Sequence, residues 1–122
     1  MQSIKLLLVI SLMSAMFTVS FFYNSSTANT MVLNETEINR QLQTLSGWTK
    51  NGDTIARTFE FKDFLGAIDF VNKLVKPAEA AGHHPDLAIS YNKVSISLTT
   101  HDAGGITQKD FDLAREISEL AK

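Results

Sequence analysis

The sequence predicts an α+β domain of order α-β-β-α-β-β-α, with a four-stranded antiparallel sheet carrying helices on one face. Apolar residues alternate with period two in two stretches, each interrupted by turn residues. A long apolar run with helical spacing separates those stretches. Shorter helical runs stand at either end, each behind a residue pattern that caps helices.

The first helix follows from Asn34-Glu35-Thr36-Glu37, which has the form of a capping box, and from Ile38, Leu42 and Leu45 at helical spacing. It is expected over residues 35–45 and stops before Gly47. Residues 48–50, Asn51-Gly52 and residues 54–61 read as a hairpin, because Asn-Gly is the strongest two-residue hairpin signal. Ile55, Phe59 and Phe61 fall on one face of its second strand. Trp48 is expected in the core rather than as a stacking surface. Phe64, Leu65, Ile68, Val71, Leu74, Val75 and Ala78 then mark a long amphipathic helix beginning near Asp63. Pro77 is expected to kink that helix or end it early, since it has no N–H and crowds the preceding turn.

Leu87, Ile89 and Tyr91 alternate on the third strand, and Val94, Ile96 and Leu98 on the fourth, with Asn92-Lys93 as the turn between them. Tyr91 is thereby placed with Leu87 and Ile89, packed under any site nearby. Gly104-Gly105 breaks the chain. Thr107-Gln108-Lys109-Asp110 is again of capping-box form. Phe111, Ala114, Ile117 and Leu120 give the last helix an apolar face, which is expected to pair with a second copy.

Residues 1–30 differ from the rest. After Lys5, residues 6–23 read LLLVISLMSAMFTVSFFY, and small polar residues follow. That is the pattern of a secretory signal peptide or of an N-terminal membrane anchor through residues 4–23. A misplaced start, with Met31 as the first residue, is the other reading. The location is secreted, periplasmic or membrane-anchored on the first reading and cytoplasmic on the second. Residues 31–122 form the domain, about 92 residues, near the lower end of what folds on one core.

The formal net charge of −2 gives no basic field, so nucleic acid is not an expected partner. There is no cysteine, which removes disulfides, thiolate nucleophiles and Cys-ligated zinc. The three histidines, His83, His84 and His101, lie at the ends of predicted elements. Such positions carry sites more often than element interiors do, and imidazole titrates near neutral pH, so it serves as acid or base without a cofactor. A solvated loop pair before a proline is the plain alternative.

Glu79-Ala80-Ala81-Gly82-His83-His84-Pro85, then Tyr91, His101 and Asp110 at fixed spacing, resembles the signature of the pterin-4a-carbinolamine dehydratase family. Every spaced position holds a residue that family uses. Gly47-Trp48, Phe61-Lys62-Asp63-Phe64, Tyr91-Asn92-Lys93-Val94 and Leu98-Thr99-Thr100-His101 are similar to further segments of it. The resemblance spans residues 34–120. It implies a 4a-hydroxytetrahydrobiopterin dehydratase, a hydro-lyase of tetrahydrobiopterin recycling. Water is eliminated from a pterin carbinolamine to give quinonoid dihydropterin, with no cofactor and no metal.

By resemblance His83 and His101 are the acid–base pair, and His84 binds and orients the pterin. Gly82, Thr99, Thr100 and Asp102 flank them and are expected to line the pocket. Gly82 departs from the Asp of animal members, so a side-chain contact from that position is lost. Asp110 is either the acidic member of the Thr107 capping box or a support for a histidine. Glu79 either orients a histidine or ends its helix in solvent. The resemblance also implies a homodimer or homotetramer.

Two competing readings remain. Three histidines are the protein ligand set of some zinc sites. Adjacent His83 and His84, however, point apart on any regular element and would need a special turn to share an ion. The other is a dehydratase-like binding or assembly factor without essential catalysis. Animal members also serve as dimerisation cofactors of a homeodomain transcription factor, and some dehydratase-like proteins of photosynthetic organisms act in Rubisco assembly. The full set of signature histidines argues for retained catalysis.

Overall fold

A computed structural model describes residues 30–122. The expected leader or anchor lies outside the described residues. The order of elements is α1 (Glu35–Gln43), β1 (Thr49–Asn51), β2 (Thr54–Glu60), α2 (Phe64–Ala81), β3 (Asp86–Ser90), β4 (Lys93–Leu98) and α3 (Gln108–Leu120). This is the expected α+β order. A 3-10 turn, His101–Ala103, is added between β4 and α3. All strand pairs are antiparallel, and the sheet order is β1-β2-β4-β3.

Each helix starts where a side chain answers its free N–H groups. Asn34 Oδ1 accepts from Glu37 N at 2.9 Å, and Asp63 Oδ1 accepts from Gly66 N at 2.8 Å. The capping box expected at α1 is only half made. Glu37 turns its carboxylate to Arg40 and Gln41 instead of back to the Asn34 N–H. The Arg40 guanidinium holds the Glu37 carboxyl at about 2, below the usual carboxylate range. The pair is exposed, so it steadies one helical turn and adds little to the fold.

Pro77 neither ends α2 nor shortens it, for the helix continues to Ala81. Proline removes one N–H donor, and the helix is carried past it by packing. Ala67, Phe70, Leu74 and Ala78 form one buried stripe along α2. Burying such side chains yields about 1.5–3 kcal/mol for each large one, comparable to the cost of an interior proline.

Both hairpin turns fall one residue earlier or later than the sequence suggests. Asn51 pairs with Thr54, so the loop residues are Gly52 and Asp53 rather than Asn51 and Gly52. Ser90 pairs with Lys93, so the second loop is Tyr91-Asn92 rather than Asn92-Lys93. Tyr91 therefore leaves the strand. It takes the left-handed conformation, φ 51°, and its side chain is 67% exposed instead of packed beneath the histidines. Asn92 holds the loop, its Nδ2 donating to Phe61 O at 2.8 Å. A non-glycine residue pays roughly 1–2 kcal/mol in that region. We expect Tyr91→Gly to leave the unfolding free energy unchanged or raise it by up to about 1 kcal/mol, the relief being partly offset by the greater freedom of glycine when unfolded. Urea denaturation checks this; a loss well beyond 1 kcal/mol would mean the ring packs against something.

The core lies between the sheet and the helices. Ile55 and Phe59 of β2 and Val94, Ile96 and Leu98 of β4 face Phe70 and Leu74 of α2 and Phe111, Leu113, Ala114 and Ile117 of α3. Trp48 is in this core, edge-on to Phe59, with Nε1 donating to Ser118 Oγ at 2.8 Å. The apolar face of α3 is thus consumed within the chain. Phe111, Ala114 and Ile117 are fully buried in one copy, so the face expected to pair two copies is not available for that. Exposed large apolar residues lie instead on α2, Leu65 and Val75 among them, on β3, at Leu87 and Ile89, and outside both at Met31, Val32 and Tyr91. Among the described residues no helix is long and apolar enough to cross a membrane.

Candidate active site

Two chain reversals build the site. The first ends α2. Gly82 is left-handed, φ 56°, and its N–H donates to Glu79 O at 3.1 Å while the N–H of His83 donates to Ala78 O at 3.1 Å. This pair of bonds is the Schellman motif, which needs the left-handed residue that glycine supplies without strain. A Cβ at Gly82 would meet no atom within 4 Å, so backbone conformation rather than space favours glycine there. The reversal separates neighbouring imidazoles. His83 turns inward and is 9% exposed, whereas the His84 side chain is 63% exposed.

The second reversal follows β4. Thr100 N donates to Gly105 O at 3.0 Å, and Gly104, φ 78°, closes the 3-10 turn with its N–H on His101 O at 3.0 Å. Gly105 is buried under Val32, where a Cβ would lie 3.1 Å from Cγ1. His101 opens this turn and is exposed.

The two reversals face one cavity of about 240 Å³, lined by Gly82, His83, His84, Thr99, Thr100, His101, Asp102 and Lys109. Seven of these eight residues are those the sequence singles out. A larger cavity of about 560 Å³ lies between the end of α1, β2 and the end of α3. It holds no histidine, and two of its cations are already paired, Arg115 with Asp112 and Lys122 with Glu119. All three histidines line the smaller one.

Behind the cavity is Asp110, with no exposed surface. Its Oδ2 accepts from Thr107 N at 2.8 Å, completing the capping box of α3, and from Thr100 Oγ1 at 2.9 Å. Its Oδ1 lies 2.6 Å from His83 Nε2. Asp110 thus makes both of the contacts the sequence left as alternatives, one through each oxygen. An ionised carboxylate only accepts, so in this pair His83 Nε2 donates to Oδ1. No buried side-chain nitrogen or oxygen lacks a partner among the described residues. Glu79 Oε1 lies 2.7 Å from His84 Nε2, both side chains being largely exposed. Among the described residues no three His, Asp or Glu side chains are placed to share one metal ion.

The family model for pterin 4 alpha carbinolamine dehydratase matches residues 31–120. The chain belongs to the pterin-4a-carbinolamine dehydratase family. A Cyanothece protein provisionally named pterin-4-alpha-carbinolamine dehydratase is 65% identical over 91 residues, 75% of this chain and 94% of its own length. A Nostoc protein of the same provisional name is 62% identical over 89 residues, 73% and 96% of the two lengths. The crystal structure of a transcriptional coactivator/pterin dehydratase from Brucella melitensis is similar, with 38% identity, a TM-score of 0.72, and 75% and 99% of the two chains covered. A pterin dehydratase-like protein described as a RuBisCO assembly factor of the alpha-carboxysome shares the fold, at 20% identity and a TM-score of 0.50 over 61% of this chain and 86% of that one.

One lining residue of this family member is not evident from its signature. Lys109 precedes Asp110 in the first turn of α3 and so reaches the cavity rim. A cation there opposes the helix dipole, which favours carboxylates at that end. That mismatch is the signal the sequence offers for it.

Proposed function

We propose that the chain is a 4a-hydroxytetrahydropterin dehydratase. The observation that carries this is the buried Asp110–His83 pair backing a cavity to which His84 and His101 also contribute. Elimination breaks the C4a–O bond, forms the C4a=N5 bond, and needs one proton delivered to the hydroxyl and one taken from N5. In our reading His83 Nδ1 takes the N5 proton, and Asp110 stabilises the imidazolium that results. His101 gives its proton to the departing hydroxyl, which leaves as water. Solvent returns both imidazoles to their starting states through the open side of the cavity. His84, held by Glu79, orients the pterin with Gly82, Thr99, Thr100 and Asp102 around it. General acid–base groups of this kind contribute about 10²–10⁴-fold each.

On the reading in which residues 1–30 are a leader or anchor, they deliver or hold the domain and take no part in this chemistry; on the other, the protein starts at Met31. Homo-oligomers, as a dimer or tetramer, would form through the exposed apolar residues of α2 and β3 rather than through α3.

The test is direct. The full chain, its mass set by light scattering above that of one copy, is expected to accelerate loss of 4a-hydroxytetrahydropterin, monitored by absorbance. Chelators are expected to leave the rate unchanged. A well-folded protein that leaves the spontaneous rate untouched would exclude the dehydratase and favour a binding or assembly role.

A further inference from the structure

The hydroxyls of Thr100 and Thr107 form a one-way chain that ends on the carboxylate behind His83. Thr100 Oγ1 donates its only proton to Asp110 Oδ2 at 2.9 Å. It must then accept from Thr107 Oγ1, 2.7 Å away. Thr107 Oγ1 in turn accepts from Lys109 N at 3.3 Å. Thr107 and Asp110 are fully buried, and Thr100 is 7% exposed. With Thr107 N also on Oδ2, that oxygen has two donors and no freedom to swing. Oδ1 is left for His83 Nε2.

We infer that Thr100 is a positioning residue, whose hydroxyl locks the Asp110 carboxylate so that His83 keeps its proton on Nε2 and presents Nδ1 to the cavity. The inference rests on the dehydratase reading for its kinetic consequence alone. Its structural consequence holds in the free protein. Thr100 lines the cavity too, but its hydroxyl is spent inward, so removing it acts through Asp110 and not by loss of a ligand contact. A carboxylate with one donor fewer can rotate, and the Nε2–H bond then opens to water more often.

The experiment uses the ¹⁵N-labelled full chain without substrate, together with its kinetics. The wild type is expected to show a low-field His83 Nε2 proton in slow exchange with water. Thr100→Val, nearly the same shape without the hydroxyl, is expected to speed that exchange at least about 10-fold and lower kcat about 3- to 10-fold, the scale of one lost hydrogen bond, with KM within about twofold. Thr100→Ser, which keeps the hydroxyl, is expected to restore both. If Thr100→Val does not fold, Thr100→Cys, a weak donor of similar size, is read in the same way. A wild-type spectrum without a protected Nε2 proton overturns the inference whatever the variants do. So does a Thr100→Val protein that exchanges like the wild type, even if its kcat falls, because the loss would then arise elsewhere. Altered exchange in a protein whose wild type turns over no pterin would sustain the positioning role and sink the dehydratase reading.

Discussion

His83→Ala and His101→Ala are each expected to lower kcat for dehydration on the order of 10- to 1000-fold, the range expected of acid–base groups. The double variant should fall below either single one, since neither imidazole can then stand in for the other. His84→Ala is expected to raise KM more than it lowers kcat, as loss of an interaction made equally in ground and transition states does. His84 is tied to Glu79 at the solvent edge, whereas His83 alone is backed by a buried carboxylate, and this difference in environment underlies the split. The three single variants should keep the wild-type circular dichroism spectrum, because no histidine belongs to the apolar core. Wild-type turnover by both His83→Ala and His101→Ala would end the catalytic assignment.

The largest loss of stability from a single site is expected at Asp110. Asp110→Ala strands the Thr107 N–H, the Thr100 hydroxyl and His83 Nε2 in a buried place at once. A lost cap costs about 1 kcal/mol, and each buried group left without a partner costs about 1–3 kcal/mol. Some relaxation and water entry will soften the sum, so a loss of about 3 kcal/mol is expected. For a domain of this size that lowers Tm by roughly 10–20 °C. Thermal melts followed by circular dichroism check it. A Tm within a few degrees of the wild type would show that water replaces the carboxylate at no cost. Asp110→Asn should be less damaging, since its amide oxygen can still accept from Thr107 N, but its NH₂ cannot accept from His83.

The order of elements was legible because each apolar period belongs to one face of one element. The sheet faces followed in the same way, from Ile55 and Phe59 to Val94, Ile96 and Leu98. The ends of strands did not. Alternation tells which side a residue faces but not where pairing stops, and a turn moves by one residue when a single backbone goes left-handed, as at Tyr91. The face of α3 was correctly apolar, but periodicity says that a face is covered and not by what. Phe111, Ala114 and Ile117 meet the chain's own sheet and α2.

Within the site, the three histidines that line one cavity drew notice from their places at element ends and from the resemblance of their spacing to a family signature. Asp110 was readable only as a choice between cap and histidine support, because a linear sequence gives one residue one neighbourhood. A carboxylate has two oxygens, and the fold assigns each its own work. Thr100 gave no signal of an inward hydroxyl, since its partner Thr107 is named by the sequence only as a helix cap. Lys109 gave a faint one, a cation at the wrong end of a helix.

Trp48 carries a consequence of a different kind. It is the sole tryptophan of the chain, 4% exposed, and its indole N–H reaches Ser118. Asp110 and Ser118 sit on the same helix, about 12 Å apart along its axis at 1.5 Å per residue. The indole thus reads the docking of α3 from the end far from the histidines. Its fluorescence is expected to lie to the blue while the helix is seated and to move to the red when water enters. The molecule therefore carries a built-in optical gauge of folding, placed at the end of α3 away from the histidines.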